Sequence, residues 1–249
     1  MYPWAKIKDE TINFLKTNYL MLLVTSVIAM FAISIVSGLI GGVIGLVNSL
    51  CSLIFAGMTT SDSTVLNIMG AIFSFVVSFV FSVLSMGISY FVTGIVTIGI
   101  AKTFENAKNT GVIDLNNLLY PFKANFKNIA MVEFKKSLEI TLWSLLCFIP
   151  GIIKFYQYFM VDYLLADNPN LPANQVLEIS KNATNGDKLN IFLTTLVAGF
   201  IISLGIIACC VGQFFLMPIA YIVQYEIYRY LRTKAIANGY VNESYLVTM

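Results

Sequence analysis

The sequence predicts an all-α, polytopic membrane protein with six transmembrane helices. Hydrophobic residues make up 58% of the 249-residue chain and charged residues 11%, whereas soluble domains are about 45–50% apolar and about 25% charged. The apolar residues are gathered in four segments, 19–56, 66–101, 137–166 and 189–231. Because a span needs about 20 residues, the first two segments are expected to cross once each and the last two to cross twice each.

The placement of basic residues predicts the orientation of these spans. The polar segments at 102–136 and 167–188 contain six and two Lys or Arg, whereas the loop at 57–65 and the turn at 209–213 contain none. With six spans and both termini inside, fourteen of the fifteen basic residues lie on one side, and only Lys154 is near an outer turn. This follows the positive-inside rule, so we expect cytoplasmic termini.

The segments between the spans predict helices that lie at the membrane surface within one domain, 1–249. Residues 3–18 and 114–130 have apolar positions at helical spacing and charged residues on the opposite face, which is typical of interfacial helices. Residues 172–185 are predicted to form an amphipathic cytoplasmic helix. The tail, 233–249, is polar, and we expect it to be partly disordered.

The first apolar segment contains a ladder of small residues, which is expected to mediate helix packing: Gly38, Gly41, Gly42 and Gly45. Small residues at this spacing let another backbone approach closely. Intramolecular packing and homo-oligomerisation both remain open. The second segment contains a serine stripe, which either packs on this ladder or lines a polar path, and glycines that are expected to bend an over-long helix: Gly87, Gly94 and Gly99.

A Pro-Gly helical hairpin is predicted within 137–166. Pro150 and Gly151 are expected to separate two helices. Folding the chain at this point places Trp143 level with Tyr158 and Glu139 level with Asp162.

The charged and aromatic residues of the hairpin are the candidate ligand-binding site: Lys154, Tyr156, Gln157, Tyr158, Asp162 and Glu139. Ionisable groups within spans are functional candidates because each is unfavourable in hydrocarbon. Three interpretations remain open: snorkelling of the charges to the interfaces, a pocket for a polar substrate or lipid headgroup, and a carboxylate pair that holds a proton or cation.

The composition argues against several classes of function. The chain has no His, which removes the commonest general base and metal ligand, and its four Cys have no metal-ligand spacing. We therefore expect no metal, no cofactor and no catalytic residues, and the net charge of +2 gives no reason to expect a nucleic-acid partner. The expected partners are membrane lipids and an amphipathic small molecule or peptide.

Three motifs within residues 143–188 are distinctive: WSLL at 143–146, IPGIIK at 149–154 and ADNP at 166–169. In these motifs the chain resembles the integral-membrane family of Gram-positive bacteria known as domain of unknown function nine-seven-five. The resemblance implies a six-span protein in a bacterial cell membrane. Related membrane modules are fused to glycerophosphodiester phosphodiesterases, and similar small proteins accompany peptide-antibiotic systems, which are associations and not mechanisms.

Three functions are compatible with these observations. The leading hypothesis is a non-enzymatic protein that binds or transports a lipid-like or amphipathic molecule. The first alternative is immunity against a membrane-active antimicrobial peptide. The second is an intramembrane enzyme, which the absence of His and of known catalytic motifs disfavours.

Overall fold

The computed structural model describes residues 2–58, 64–207 and 212–246, and the regular structure in these residues is helical, so the all-α class is confirmed. Two short 3-10 helices lie at Leu115–Leu119 and Glu243–Tyr245. The α-helices, in chain order, are α1 (Trp4–Met58), α2 (Thr64–Thr110), α3 (Tyr120–Lys123), α4 (Phe126–Leu146), α5 (Phe148–Gln157), α6 (Val161–Asp167), α7 (Ala173–Ala183), α8 (Lys188–Ile207) and α9 (Gly212–Ala237).

Six of the helices form a closed ring. α1 packs against α2 and α9, α2 packs against α4, α4 against α5, α5 against α8, and α8 against α9. The short helix α6 packs against α2 and α7. The core includes the fully buried side chains of Phe104, Ile129, Leu164 and Tyr228, so the ring and α6 share one hydrophobic core.

Within the described residues, three helical stretches are long and apolar enough to cross a membrane: Trp4–Ile54, Asn67–Thr110 and Lys188–Gly205. Large apolar side chains on these helices are exposed, including Leu39, Phe75 and Phe200. Such a surface is unfavourable in water and suits contact with lipid tails. The described structure therefore supports a membrane protein.

The N-terminal helix bends at the end of the predicted interfacial segment. Asn18 has non-helical backbone angles, φ −130° and ψ 19°, inside α1. The kink separates the charged stretch before it from the apolar stretch after it. The boundary agrees with the prediction, and the interfacial location of 3–18 stays a prediction.

The glycines of α2 serve close packing, and α2 continues through them as one helix. A Cβ at Gly87 would lie 3.3 Å from Oγ1 of Thr141 in α4. A Cβ at Gly99 would lie 2.4 Å from the carbonyl oxygen of Leu118. The absence of a side chain at both positions lets α4 and the 3-10 turn approach α2.

The glycine ladder of α1 does not lie in close contact with another helix among the described residues. A Cβ built on any of its members would have no atom within 4 Å: Gly38, Gly41, Gly42 and Gly45. The predicted intramolecular packing is thus not seen here. The α1–α2 pair is instead joined beyond the ladder, where Oγ of Ser78 donates a hydrogen bond of 3.2 Å to Oδ1 of Asn48.

The helical hairpin turns at Cys147 and not at the predicted Pro-Gly pair. Cys147 has extended backbone angles, φ −165° and ψ 142°, between α4 and α5. Pro150 lies in the first turn of α5, where its missing N–H leaves no hydrogen bond unmade. Gly151 packs on α4, because its Cβ would lie 2.2 Å from Oγ of Ser144. The prediction was wrong by three residues, which changes the register between the two arms.

Two further segment boundaries differ from the predictions. Residues 114–130 are not one helix, because α4 begins anew at Phe126. Asn125 caps α4, and its side chain accepts a hydrogen bond from the backbone N–H of Asn128. The predicted helix at 172–185 is present as α7 (Ala173–Ala183), with Pro172 before it.

The polar tail is ordered over its described residues, 233–246, and residues 247–249 of the predicted tail lie outside the described residues. Val241 and Leu246 are buried, and Nδ2 of Asn168 donates a hydrogen bond of 2.8 Å to the carbonyl oxygen of Tyr245. These buried apolar side chains anchor a segment that its polar composition predicted to be partly disordered.

We predict that Gly151→Ala lowers the melting temperature of the purified protein. The new methyl group meets Ser144, and overpacking of this kind costs about 1–3 kcal/mol. Gly199→Ala on α8 is the matched control, because a Cβ there meets nothing within 4 Å. Equal melting temperatures for the two variants would contradict the turn at Cys147.

Candidate functional site

A cavity of about 400 Å³ lies inside the helix ring, with lining residues from α1, α2, α4, α5, α6, α8 and α9. Ile33 of α1, Ile140 of α4 and Met217 of α9 give it aliphatic walls. Its aromatic lining comes from Tyr90, Phe155, Tyr156, Tyr158, Phe159, Tyr163 and Tyr221. A mostly apolar cavity with a few polar groups is typical of small-molecule sites.

The charged groups that line the cavity are Lys136 of α4 and Asp162 of α6. Nζ of Lys136 contacts Oδ1 of Asp162 and lies 2.6 Å from Oε2 of Glu133. Glu133 is fully buried, and 16% of the side-chain surface of Asp162 is exposed. One ammonium group therefore lies between two carboxyl groups at the edge of the cavity.

Gly94 of α2 makes room for this cluster. A Cβ at Gly94 would lie 1.8 Å from Oε2 of Glu133 and 2.8 Å from Nζ of Lys136. No residue with a side chain fits there without displacing both charged groups. This group is named the charged cluster and consists of Glu133, Lys136 and Asp162. It is thus enclosed between α2, α4 and α6.

The predicted level pair of Glu139 and Asp162 is wrong. The turn at Cys147 shifts the register of the returning arm, so Asp162 meets Lys136 and not Glu139. Glu139 instead accepts a hydrogen bond from the hydroxyl of Tyr158 and lies 3.8 Å from Nζ of Lys154.

Lys154 lies between the two arms of the hairpin. Its ammonium is 5.3 Å from the ring centre of Trp143 and 5.4 Å from that of Tyr158, within the range of cation–π attraction. Lys154 does not appear among the residues that line the cavity, whereas Tyr158 does. In the described residues Lys154 therefore holds α5 on α4, whereas Tyr158 faces the cavity.

The two remaining predicted site residues have different positions. The hydroxyl of Tyr156 lies 3.1 Å from Oγ1 of Thr195 and both residues line the cavity. Gln157 is buried on the side of α7, where its carbonyl oxygen accepts from the hydroxyl of Ser180 at 2.8 Å. The backbone carbonyl of Gln157 thus joins α5 to α7, and Gln157 does not line the cavity.

A second polar cluster lies at the end of α6, after the predicted spans. Asp167 accepts a hydrogen bond from the hydroxyl of Tyr228 and lies 3.1 Å from Nε of Arg232. Burial raises the pKa of Asp167 to about 7, and the negative charge of Glu105 acts in the same direction. The hydrogen bond from Tyr228 and the charge of Arg232 oppose this rise in pKa.

Sequence reasoning missed Glu133 and Lys136 as site residues. They were grouped with the basic segment that precedes the span, where lysines commonly contact lipid headgroups. Glu133 and Lys136 lie three residues apart on one helix, and a turn at residue 147 would place them opposite Asp162. This spacing was the signal in the sequence that could have identified the cluster. The misplaced turn concealed it.

Comparison with known proteins finds one family. The family described as "Protein of unknown function (DUF975)" matches residues 145–235, which confirms the resemblance found in the sequence. The match begins at the end of α4 and extends into α9. No curated protein and no solved structure matches the chain.

We predict that Lys136→Met destabilises the protein strongly. The substitution leaves two carboxyl groups in contact without a counter-charge, and removing one partner of a buried ion pair costs about 3–5 kcal/mol. Lys135→Met is the control, because Lys135 is only partly buried and contacts Asn174. Comparable loss of thermal stability in both variants would contradict the buried cluster.

We also predict that stability depends on pH through Asp167. Its folded pKa of about 7 lies above the unfolded value of about 4, so its contribution is fully present below about pH 4 and is lost as the pH rises through about 7. The melting temperature should therefore fall between pH 5 and pH 8 more steeply in the wild type than in Asp167→Asn. Parallel curves for the two proteins would contradict this assignment.

Proposed function

We propose that this chain is a six-span protein of the bacterial cell membrane that binds or transports an amphipathic, lipid-like small molecule in its central cavity, without catalysing a reaction. The six spans would be α1, α2, α4, residues 148–166 of α5 and α6, α8 and α9, with both termini in the cytoplasm. The observation that carries the proposal is the cavity of about 400 Å³ inside the ring.

The size and lining of the cavity support a small amphipathic ligand. Small-molecule sites have volumes of about 300–1,000 Å³ and combine apolar walls with a few polar groups. Here the aromatic side chains supply the apolar walls, and Asp162, Lys136 and Gln224 are polar groups at the lining. An apolar tail would contact the rings while a polar head reaches the charged cluster.

The exposed surface supports placement of the ring in a membrane. Phe134 and Leu138 on α4 and Leu193 on α8 are exposed, while Glu133 and Lys136 on α4 face inward and are buried. A helix with apolar residues outside and charged residues inside is typical of polytopic membrane proteins with internal polar sites.

We predict that filling the cavity removes the ligand. Ala220→Phe adds a ring to the lining from α9 and changes no charge. Mass spectrometry of amphiphiles that co-purify with the protein should show at least a fivefold lower amount than in the wild type, because the ring occupies ligand volume.

The control for this experiment is Ala71→Phe, which adds the same ring to an exposed position of α2. Both variants should purify as folded protein with helical circular dichroism spectra. Wild-type amounts of bound amphiphile in Ala220→Phe, or equal losses in both variants, would refute the proposed site.

A further inference from the structure

The charged cluster has an unequal number of acidic and basic groups. It contains the carboxyl groups of Glu133 and Asp162 and only one ammonium group, that of Lys136. With all three ionised the cluster carries one negative charge in a buried place, which is unfavourable in a low-dielectric environment. Two carboxyl groups that contact one ammonium lie close together, and a single added positive charge or proton makes the cluster neutral.

Glu133 is the group in the cluster that lacks a full set of partners. Its side chain is fully buried, and its Oε1 accepts from no donor within residues 2–58, 64–207 and 212–246, while the carboxyl group of Asp162 lies within hydrogen-bonding reach of Glu133. A buried carboxylate oxygen without a donor is costly, whereas a protonated carboxyl group has one acceptor fewer to satisfy. These contacts thus favour one proton on the carboxyl groups of the cluster.

Within the described residues, Lys136 is the one positively charged group that acts on Glu133. The charged groups that act on it are Lys136 from its own helix and Asp162 from α6. The facing position on α2 is Gly94, which has no side chain. The polar side chains that line the cavity include those of Tyr163 and Gln224, which lie 3.4 Å apart.

The cavity favours a cation over an anion. Asp162 is the more exposed of the two charged lining residues, with 16% of its side chain accessible against 7% for Lys136. The aromatic walls present ring faces, which attract cations. A positively charged head with an apolar body is complementary to both features.

We infer that the charged cluster exchanges one proton for one lipophilic monovalent cation bound in the cavity, an inference that rests on the proposed function. Without ligand, Glu133 carries the proton and Lys136 pairs with Asp162. When the cation contacts Asp162, Lys136 pairs with Glu133, which releases its proton to solvent. The cluster and its ligand are neutral in both states, so charge is balanced.

The test uses two ions of nearly equal shape and opposite charge, tetraphenylphosphonium and tetraphenylborate, added to the full chain in non-ionic detergent. Isothermal titration calorimetry at pH 5.5 to 8.5 measures affinity, and titration in two buffers of different ionisation enthalpy counts released protons. We expect tetraphenylphosphonium to bind at least tenfold more tightly than tetraphenylborate. Its affinity should rise as the pH rises, approaching tenfold per unit, with one proton released per ion.

Two variants locate the exchange. Glu133→Gln should abolish both the pH dependence and the proton release, because the amide cannot titrate. Glu178→Gln, at an exposed position of α7, should retain both. The proton count on the wild-type protein tests the inference even if Glu133→Gln does not fold.

Each contrary result has a distinct meaning. Binding of the cation without proton release, tighter binding of the anion, or binding of neither ion overturns the exchange. The proposed function is decided separately by the amount of amphiphile that co-purifies with Ala220→Phe. Loss of that amphiphile together with pH-independent cation binding would retain the cavity and reject proton exchange.

Discussion

The contact of the Lys136 ammonium with two carboxyl groups determines how the helices of this protein meet. Lys136 and Glu133 come from α4, Asp162 from α6, and α2 accommodates them only because residue 94 is glycine. A buried ammonium is unfavourable without acidic partners, so these three helices are held in one register. The cavity is bounded on one side by this contact.

The hairpin turn at Cys147 makes that contact possible. With the turn at this residue, Gly151 packs on Ser144 and Lys154 lies over Trp143. The same register brings Tyr158 to Glu139, which leaves Asp162 free to reach Lys136. The charged groups of the hairpin are therefore divided into two sets, one between its arms and one at the cavity.

The sequence predicted the helical class, the segments of greatest hydrophobicity and the presence of α7, because these follow from composition and local periodicity. It did not predict the turn, because Pro150 fits the first turn of a helix as well as it ends one. It also could not show which glycines approach a neighbour: Gly38 is open, whereas Gly94 is enclosed. The position of the turn and the packing of each glycine depend on contacts between residues that are distant in the sequence. The members of the charged cluster were missed for the same reason.

A pair of double-mutant cycles tests the register most directly. The free energy of unfolding in mixed micelles is measured for Lys136→Met and Asp162→Asn, singly and together, and likewise for Glu139→Gln and Asp162→Asn. The structure predicts a coupling of at least about 1 kcal/mol for positions 136 and 162, and additivity within about 0.5 kcal/mol for positions 139 and 162. Coupling between 139 and 162 with additivity between 136 and 162 would contradict the charged cluster and the cavity that depends on it.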